Sequence, residues 1–443
     1  MSDAEPRQIA EGIVRRLQTA GFAAFWVGGC VRDFLLGRKP QDFDIATDAR
    51  PEQVEKLFTR TIGVGRKFGV MMVVEDQQHF QVATFRAEAD YQDGRHPGKI
   101  KFANAEADAL RRDFTVNGLF YDPVSKKTHD WVGGRKDLRA KIIRTIGRPE
   151  ERFAEDHLRL LRAVRFAAQL NFDIEPKTFA AVKAFAPKIE LISTERIRDE
   201  LLKLFRPPHA ARGLDLLRDS GLLEYILPEL AATVSCEQSP DYHPEGSVFE
   251  HIKLMLGKMP PGAGELLPWT VLFHDIGKPP TAEQDPQTGA IHFYGHEKVG
   301  ALMTGKILER LRFPRKHIEV IVACVLQHMQ FKDVKQMRTA TLRRLLMRET
   351  FSLEMELHKL DCLGSHGSLD HYDFLLAQAE ELNEKPAIRP PLLSGEDLKA
   401  LGMKPGPAMG ALLHEIRDRQ LAEEFKTSRQ ARAWAKKQIA AKK

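Results

Sequence analysis

Apolar and polar positions alternate along this chain on two different periods, and the change of period falls near Pro149. Residues 22 to 145 carry short apolar runs, FWVGG, VMMVVED, HFQVATF and THDWVGG, separated by Gly, Asp and Pro. Runs of that length bounded by turn residues predict strands, and a short amphipathic helix ahead of them completes an α/β unit. From Pro149 the β signal vanishes and a 3.6-residue period takes over, as in AEDHLRLLRAVRFAAQL and RIRDELLKLF, which predicts an almost wholly helical remainder. Breaks at Arg206-Pro207-Pro208, Pro260-Pro261 and Arg389-Pro390-Pro391 divide that remainder. The expected class is α+β: an α/β head over residues 1–146, helical segments over 147–235 and 236–385, and a helical tail over 386–443.

Composition narrows the picture only a little. At 443 residues the chain is too long for one core and predicts several domains. Its 43% hydrophobic and 29% charged residues are those of a globular protein. No run approaches the roughly 18 apolar residues of a membrane span, and the charged, helix-like first residues do not read as a secretion signal, so the expected location is cytoplasmic. Cys30, Cys236, Cys324 and Cys362 stand far apart, which argues against a structural zinc site or a redox pair. A net charge of +6 is a mild excess, compatible with a polyanionic partner.

Candidate chemistry begins where an apolar strand runs into Gly28-Gly29 and then Arg32 at the opening of a helix. Amides exposed there suit a triphosphate, with Arg32 as counter-charge, although a tight strand-to-helix turn needs no ligand. Ten residues after Arg32 come Asp42 and Asp44. Alternate residues of a strand share a face, and two carboxylates held that close need cations between them. Divalent ions there would lower the pKa of an attacking hydroxyl and neutralise a pyrophosphate leaving group. Residues 84 to 102, rich in Gly, Asp, Arg and His, read as a mobile loop. Arg111 and Arg112 offer two guanidinium groups for phosphates and Asn117 an amide for a ribose hydroxyl, against the alternative of a salt-bridged helix start. Finally Asp156, Arg159, Arg162 and Arg165 recur every third residue on a strongly apolar helix. Asp156 beside Arg159 offers an acceptor next to a donor, which matches the Watson–Crick edges of cytosine and adenine and rejects those of uracil and guanine.

The ordered series GGCVRD, DFD, RRDFTVN, WVGG, EDHLRLLRAVRF and TERIRDELLKL resembles the bacterial class II tRNA nucleotidyltransferases, the family of CCA-adding enzymes and poly(A) polymerases, over residues 22 to about 230. The resemblance implies a nucleotidyltransferase head that adds nucleotides to an RNA 3′ end without a nucleic-acid template. It implies that Gly29 and Arg32 contact the triphosphate and that Asp42 and Asp44 bind Mg2+. It also implies that an arginine of the Arg111-Arg112 pair, with Asp156, Arg159, Arg162 and Arg165, binds ATP or CTP. The partners implied are tRNA, ATP and CTP. Within the family, residues 63 to 70 lack the longer basic sequence associated with poly(A) polymerases and the loop at 84 to 98 resembles that of tRNA-acting members, so full CCA addition is the expectation, with A-adding, CC-adding and poly(A) addition as the alternatives.

Residues 243 to 361 hold a second series, His251, His274-Asp275, His296, His328 and Asp361. Imidazoles and carboxylates on successive helices are a donor set for a transition metal. The pattern resembles the HD phosphohydrolase superfamily, which implies one or two metals that activate water against a phosphoester, with a 2′,3′-cyclic phosphate or 3′-phosphate on RNA as substrate. The alternative is a helical scaffold with leftover histidines. After Glu424 the tail has seven Lys or Arg and no acidic residue, which suits a tRNA backbone or simply a solvated terminal helix. The rival of another class is an HD phosphohydrolase whose head only binds RNA; a third reading is an RNA-binding protein with no catalysis.

Overall fold

The computed structural model describes residues 5–91, 97–239, 246–384 and 390–441. The chain divides into two units, Met1–Ala231 and Ala232–Lys443.

In the first unit, α1 (Pro6–Thr19) buries Ala10, Ile13, Val14 and Leu17, the i, i+3, i+4, i+7 stripe of an amphipathic helix. It leads into β1 (Ala24–Val27), α2 (Gly29–Leu35), β2 (Ile45–Thr47), α3 (Pro51–Leu57), β3 (Thr61–Gly65), β4 (Val70–Glu75) and β5 (Gln78–Thr84). A hairpin of β6 (Arg86–Tyr91) and β7 (Pro97–Phe102) follows, then α4 (Ala105–Leu110), β8 (Phe120–Asp122), β9 (Lys127–His129), α5 (Gly134–Ala140) and β10 (Ile142–Ile143). Seven strands form one sheet in the order β3-β4-β5-β2-β1-β8-β9. Only β2 and β5 pair in parallel within it, with Ile45 opposite Val82, while β1 runs antiparallel to β2 with Trp26 opposite Ile45. Trp26, Phe85 and Phe120 are among its fully buried side chains.

The segment expected to be a loop over residues 84 to 102 is instead largely paired backbone. β6 and β7 are antiparallel, with Arg86 opposite Phe102, and residues 92–96 of that expectation lie outside the described residues. A strand needs only extended backbone and a partner, so a polar hairpin leaves no apolar alternation to read.

The helical part of this unit comprises α6 (Pro149–Glu155), α7 (Leu158–Leu170), α8 (Pro176–Phe185), α9 (Thr194–Leu204), α10 (Ala210–Asp219), α11 (Leu222–Ile226) and α12 (Pro228–Ala231). Its core is α7, where Leu160, Leu161, Ala163, Val164, Ala167 and Ala168 are wholly enclosed; each leucine contributes about 2 kcal/mol of burial. The β signal does not end at Pro149, because β11 (Asp173–Ile174) pairs in parallel with β10.

The second unit is built from α13 (Val248–Lys258), α14 (Leu267–Phe273), α15 (His296–Arg310), α16 (Arg315–Gln327), α17 (Thr339–Leu346), α18 (Phe351–Gly364) and α19 (Asp370–Asn383). A two-stranded hairpin, β12 (Glu283–Gln284) and β13 (Ile291–His292), stands between α14 and α15. Three tail helices follow, α20 (Gly395–Ala400), α21 (Pro407–Leu421) and α22 (Ser428–Ala441). Trp434 of the basic terminal helix packs against the cluster of Leu398, Met409, Leu412 and Ile416, so it serves the tail's own core. Arg389 of the third Pro-rich break lies outside the described residues. Among the described residues no helix is long and apolar enough to cross a membrane.

Candidate active site and metal centre

The strand-to-helix turn after β1 takes Gly28 to φ +73°, a left-handed conformation that costs a side chain roughly 1–2 kcal/mol. A Cβ there would also stand 3.1 Å from a guanidinium nitrogen of Arg112, so glycine is required both by the turn and by what approaches it. Gly28 is the N-cap of α2, and Gly28, Gly29 and Arg32 open onto a cavity of about 480 Å³.

Asp42 and Asp44 do not lie on a strand. They occupy the extended lead-in just before β2, held to β1 by the Val27 amide, which donates to the Asp44 carbonyl oxygen at 2.9 Å. Phe43 between them is buried against Trp26, ring centroids 4.8 Å apart. Alternation therefore survives although the ladder begins at Ile45. Asp44 is half-buried and lines the cavity; Asp42 is exposed. Burial pushes the Asp44 carboxyl above its ordinary range, the charge of Arg112 pulls it down, and the charge of Asp42 pushes it up, with the balance upward. A half-buried carboxylate raised by the charge of its neighbour in this way fits a cation shared between the two.

Arg32, Arg86, Arg111, Arg112, Arg159 and Arg162 surround the same cavity. Arg86 donates to the Phe68 carbonyl oxygen at 2.9 Å, and the other five are held by carboxylates. Asp108 is buried, and its two oxygens accept from Arg111 at 2.7 Å and Arg112 at 3.0 Å. Burial raises the Asp108 carboxyl, but the Arg112 and Arg111 charges bring it below its usual range. Asp113 accepts from Arg162 through Nε at 2.8 Å and Nη2 at 2.5 Å. Burial raises that group as well, and Arg162 with Arg159 outweighs it, lowering the carboxyl to about 2. Arg32 is gripped by both oxygens of Asp33 at 2.9 Å and donates to Asn117 Oδ1 at 2.8 Å. Asn117 in turn donates to Asp113 at 3.2 Å. The amide expected to meet a ribose thus already links Arg32 to Asp113, with one donor and one lone pair to spare.

Asp156 and Arg159 are not on one helix. α6 ends at Glu155, Asp156 takes an extended backbone (φ −148°, ψ 105°), and α7 begins at Leu158. The Asp156 carboxylate accepts from the Leu158 amide at 3.1 Å and from Arg196 at 2.9 Å. Arg159 instead donates to Glu155 at 2.6 Å and to the Arg111 carbonyl oxygen at 3.3 Å. Both still face the cavity. Arg165 does not line it: its Nε donates to the buried Glu200 at 2.5 Å and its guanidinium lies 4.0 Å from the Phe166 ring centroid. Arg111 and Arg112 follow the end of α4 rather than starting a helix.

In the second unit the histidines converge. His251, His274 and Asp361 bring ligand atoms within 4.8 Å of one another, and Asp275, His296 and His328 do the same. The Nδ1 atoms of His274, His296 and His328 lie 2.9, 2.8 and 2.7 Å from the carbonyl oxygens of Val271, Phe293 and Val325. A carbonyl cannot donate, so each Nδ1 carries the proton and each Nε2 presents a lone pair, the tautomer a metal ligand needs. Nε2 of His296 and His328 face each other at 3.2 Å, and the buried Nε2 of His274 stands 3.2 Å from an Asp275 carboxylate oxygen. Lone pairs so arranged fit a cation. Burial raises the Asp275 carboxyl, but the Lys278 ammonium, whose Nζ is 2.7 Å away, counters it and holds it below its usual range.

Comparison with known proteins bears on both units. Residues 24–144 match the family described as "Poly A polymerase head domain", residues 171–233 "Probable RNA and SrmB- binding site of polymerase A", and residues 246–363 "HD domain". The chain is 34% identical over 427 residues to an A-adding tRNA nucleotidyltransferase of Deinococcus radiodurans, covering 93% of this chain and 94% of that protein. It belongs to the tRNA nucleotidyltransferase family. A CCA-adding enzyme of Geobacillus stearothermophilus is 46% identical over 227 residues, 51% of this chain and 56% of that one. The crystal structure of the Bacillus stearothermophilus CCA-adding enzyme in complex with CTP superposes with a TM-score of 0.77 at 29% identity, over 99% of each chain. The nucleotidyltransferase head and helical body anticipated from the motifs are the architecture found.

Four residues that shape this nucleotidyltransferase's sites carried no sequence expectation. Asp108 precedes Arg111 and Arg112 by three and four residues, a helical ion-pair spacing that could have revealed it. Asp113 and Glu200 act on arginines 49 and 35 residues distant, and no local pattern announces such pairs. Arg196 stands in the quoted TERIRDELLKL run, with nothing to show that it reaches Asp156.

Proposed function

We propose that this nucleotidyltransferase completes tRNA 3′ ends by template-independent addition of CMP, CMP and AMP from CTP and ATP. The observation that carries the reading is the cavity where Asp44, the Gly28-Gly29 turn and six arginines meet. Asp42 and Asp44 hold divalent cations, Mg2+ by preference for all-oxygen ligands. When bound, such cations lower the pKa of the RNA 3′-hydroxyl and neutralise the departing pyrophosphate. The remaining roles belong to the chain. Arg32 and Arg112, each anchored by a carboxylate, bind the triphosphate without having to be ordered first. Asp156 accepts from the amino group of cytosine or adenine while Arg159 donates to the adjacent ring nitrogen. Arg196 and Glu155 preset the two side chains from behind.

A second reading has its own support, since the relative matched along nearly its whole length is an A-adding enzyme, whereas the CTP complex matches along nearly the whole chain as a structure. Three tRNAs separate them, ending before CCA, after CC, and complete, each offered CTP and ATP. CCA addition predicts extension of the first two to full length; A addition predicts extension of the second alone. Asp42→Ala/Asp44→Ala must abolish incorporation of labelled nucleotide, and survival of incorporation would sink the transfer reading altogether.

For the HD cluster we propose a divalent transition metal held by His251, His274, Asp275, His296, His328 and Asp361, and hydrolysis of a 2′,3′-cyclic phosphate or 3′-phosphate on RNA. The convergence of imidazole nitrogens and carboxylate oxygens within 4.8 Å of one another supports it. The reading places the protein in the cytoplasm, where its tRNA substrate and nucleotides are.

A further inference from the structure

Three guanidinium groups meet one aromatic ring at the triphosphate cavity. Phe166, on α7, is buried and lines that cavity together with Arg32 and Arg162. The guanidinium of Arg165 lies 4.0 Å from its ring centroid, that of Arg162 5.1 Å and that of Arg32 5.3 Å. Arg162 and Arg165 belong to the same helix as the ring, whereas Arg32 comes from α2. The ring is seated in turn by the wholly buried Phe114, whose centroid stands 5.9 Å away at an interplanar angle of 77°.

Each of these arginines also has a carboxylate, Asp33 for Arg32, Asp113 for Arg162 and Glu200 for Arg165. A carboxylate orients a guanidinium but offsets its charge, and so weakens its pull on a phosphate. A ring face orients it differently. Its quadrupole attracts a cation while carrying no net charge, so it can gather like charges at one place and leave them available to an anion. The attraction is greatest where ring and cation are out of water, and Phe166, Arg32 and Arg165 are all buried.

Resting on the transfer reading above, we infer that Phe166 is a positioning residue for the incoming nucleotide, its ring setting Arg32 and Arg162 for the triphosphate before the nucleotide arrives. Arg165 does not line the cavity and acts through the ring it touches. The ring also ties α2, which carries Gly29 and Arg32, to α7, which carries Arg159. Phosphate contacts and base contacts thereby keep one spacing. CTP and ATP bear the same triphosphate, so the ring serves both alike.

The test is steady-state kinetics of the full chain carrying Phe166→Met or Phe166→Leu, which stay apolar but lose the π face, beside Phe166→Tyr, which keeps it. A cooperative melting curve establishes that each variant is folded. For Met and Leu the expected result is a KM about tenfold higher for ATP and for CTP alike, with KM for tRNA within about twofold. Inhibition by pyrophosphate, which has no base, should weaken by the same factor. Phe166→Tyr should stay within about twofold of the parent in every one of these. Unchanged nucleotide KM and pyrophosphate inhibition in the Met and Leu variants of an enzyme that Asp42→Ala/Asp44→Ala inactivates would overturn the positioning role and leave the transfer reading standing. Equal losses in the Tyr variant would also overturn it, by assigning the effect to the packing of α7 rather than to the face of the ring.

Discussion

A buried carboxylate keeps its charge in this protein wherever an arginine outweighs the cost of burial, and Asp113 is the clearest instance. Its folded-state value of about 2 lies below the ordinary 3.8. A depressed carboxyl stabilises the fold above its unfolded value, near pH 4, and that contribution is lost as pH falls through about 2. The difference is worth about 2 kcal/mol. Asp113→Asn should therefore be less stable than the parent at pH 7, with the gap narrowing by about that amount between pH 5 and pH 2 in denaturant unfolding. A gap that stays constant would show that Asp113 does not carry its charge into the folded state. This pairing was invisible in the sequence. Asp113 stood in plain view beside Arg112, yet its partner Arg162 is 49 residues away, and only the packing of α7 brings them together.

Element identities were more legible than element ends. The glycine turn into α2 and the apolar run of α14 could be read directly, because φ and burial constrain those residue types. The break between α6 and α7 could not. AEDHLRLLRAVRF contains neither Pro nor Gly and keeps its helical period, but Asp156 turns its carboxylate to the Leu158 amide, a local bond that competes with the helix. Close approach between helices is equally silent until it is seen. A Cβ on Gly277 would stand 2.6 Å from the Gly300 amide nitrogen and closer still to the His296 carbonyl oxygen, so glycine lets the start of α15 lie against the HDIGK turn. Gly277→Ala should push that first turn outward and move His296, at a cost of about 1–3 kcal/mol. A lower melting temperature and less bound divalent metal per chain are expected, with nucleotide incorporation by the head retained. Metal content and melting equal to the parent's would show that the backbone at Gly277 is not confined.

Across the whole molecule, the two units offer metals different chemistry. The head presents carboxylates beside arginines, which favours a hard ion shared with phosphate oxygens. The HD cluster presents imidazoles whose tautomers are fixed by backbone carbonyls, which favours a transition metal. Sequence spacing pointed to the residues of both proposed donor sets, because each is a short run or a recognisable series, but it could not say which nitrogen of each histidine faces the backbone. The difference predicts separable activities. After exhaustive chelation, Mg2+ alone should restore nucleotide incorporation while hydrolysis of a 2′,3′-cyclic phosphate stays absent until a transition metal such as Ni2+ or Co2+ is added. His274→Ala/Asp275→Ala should abolish that hydrolysis and leave incorporation within about twofold of the parent, since the two donor sets share no residue. If Mg2+ restored both reactions, or if the HD substitutions silenced incorporation, the assignment of one metal chemistry to each unit would fail. The imidazole geometry would then have to be explained as a prop for the helices that carry it.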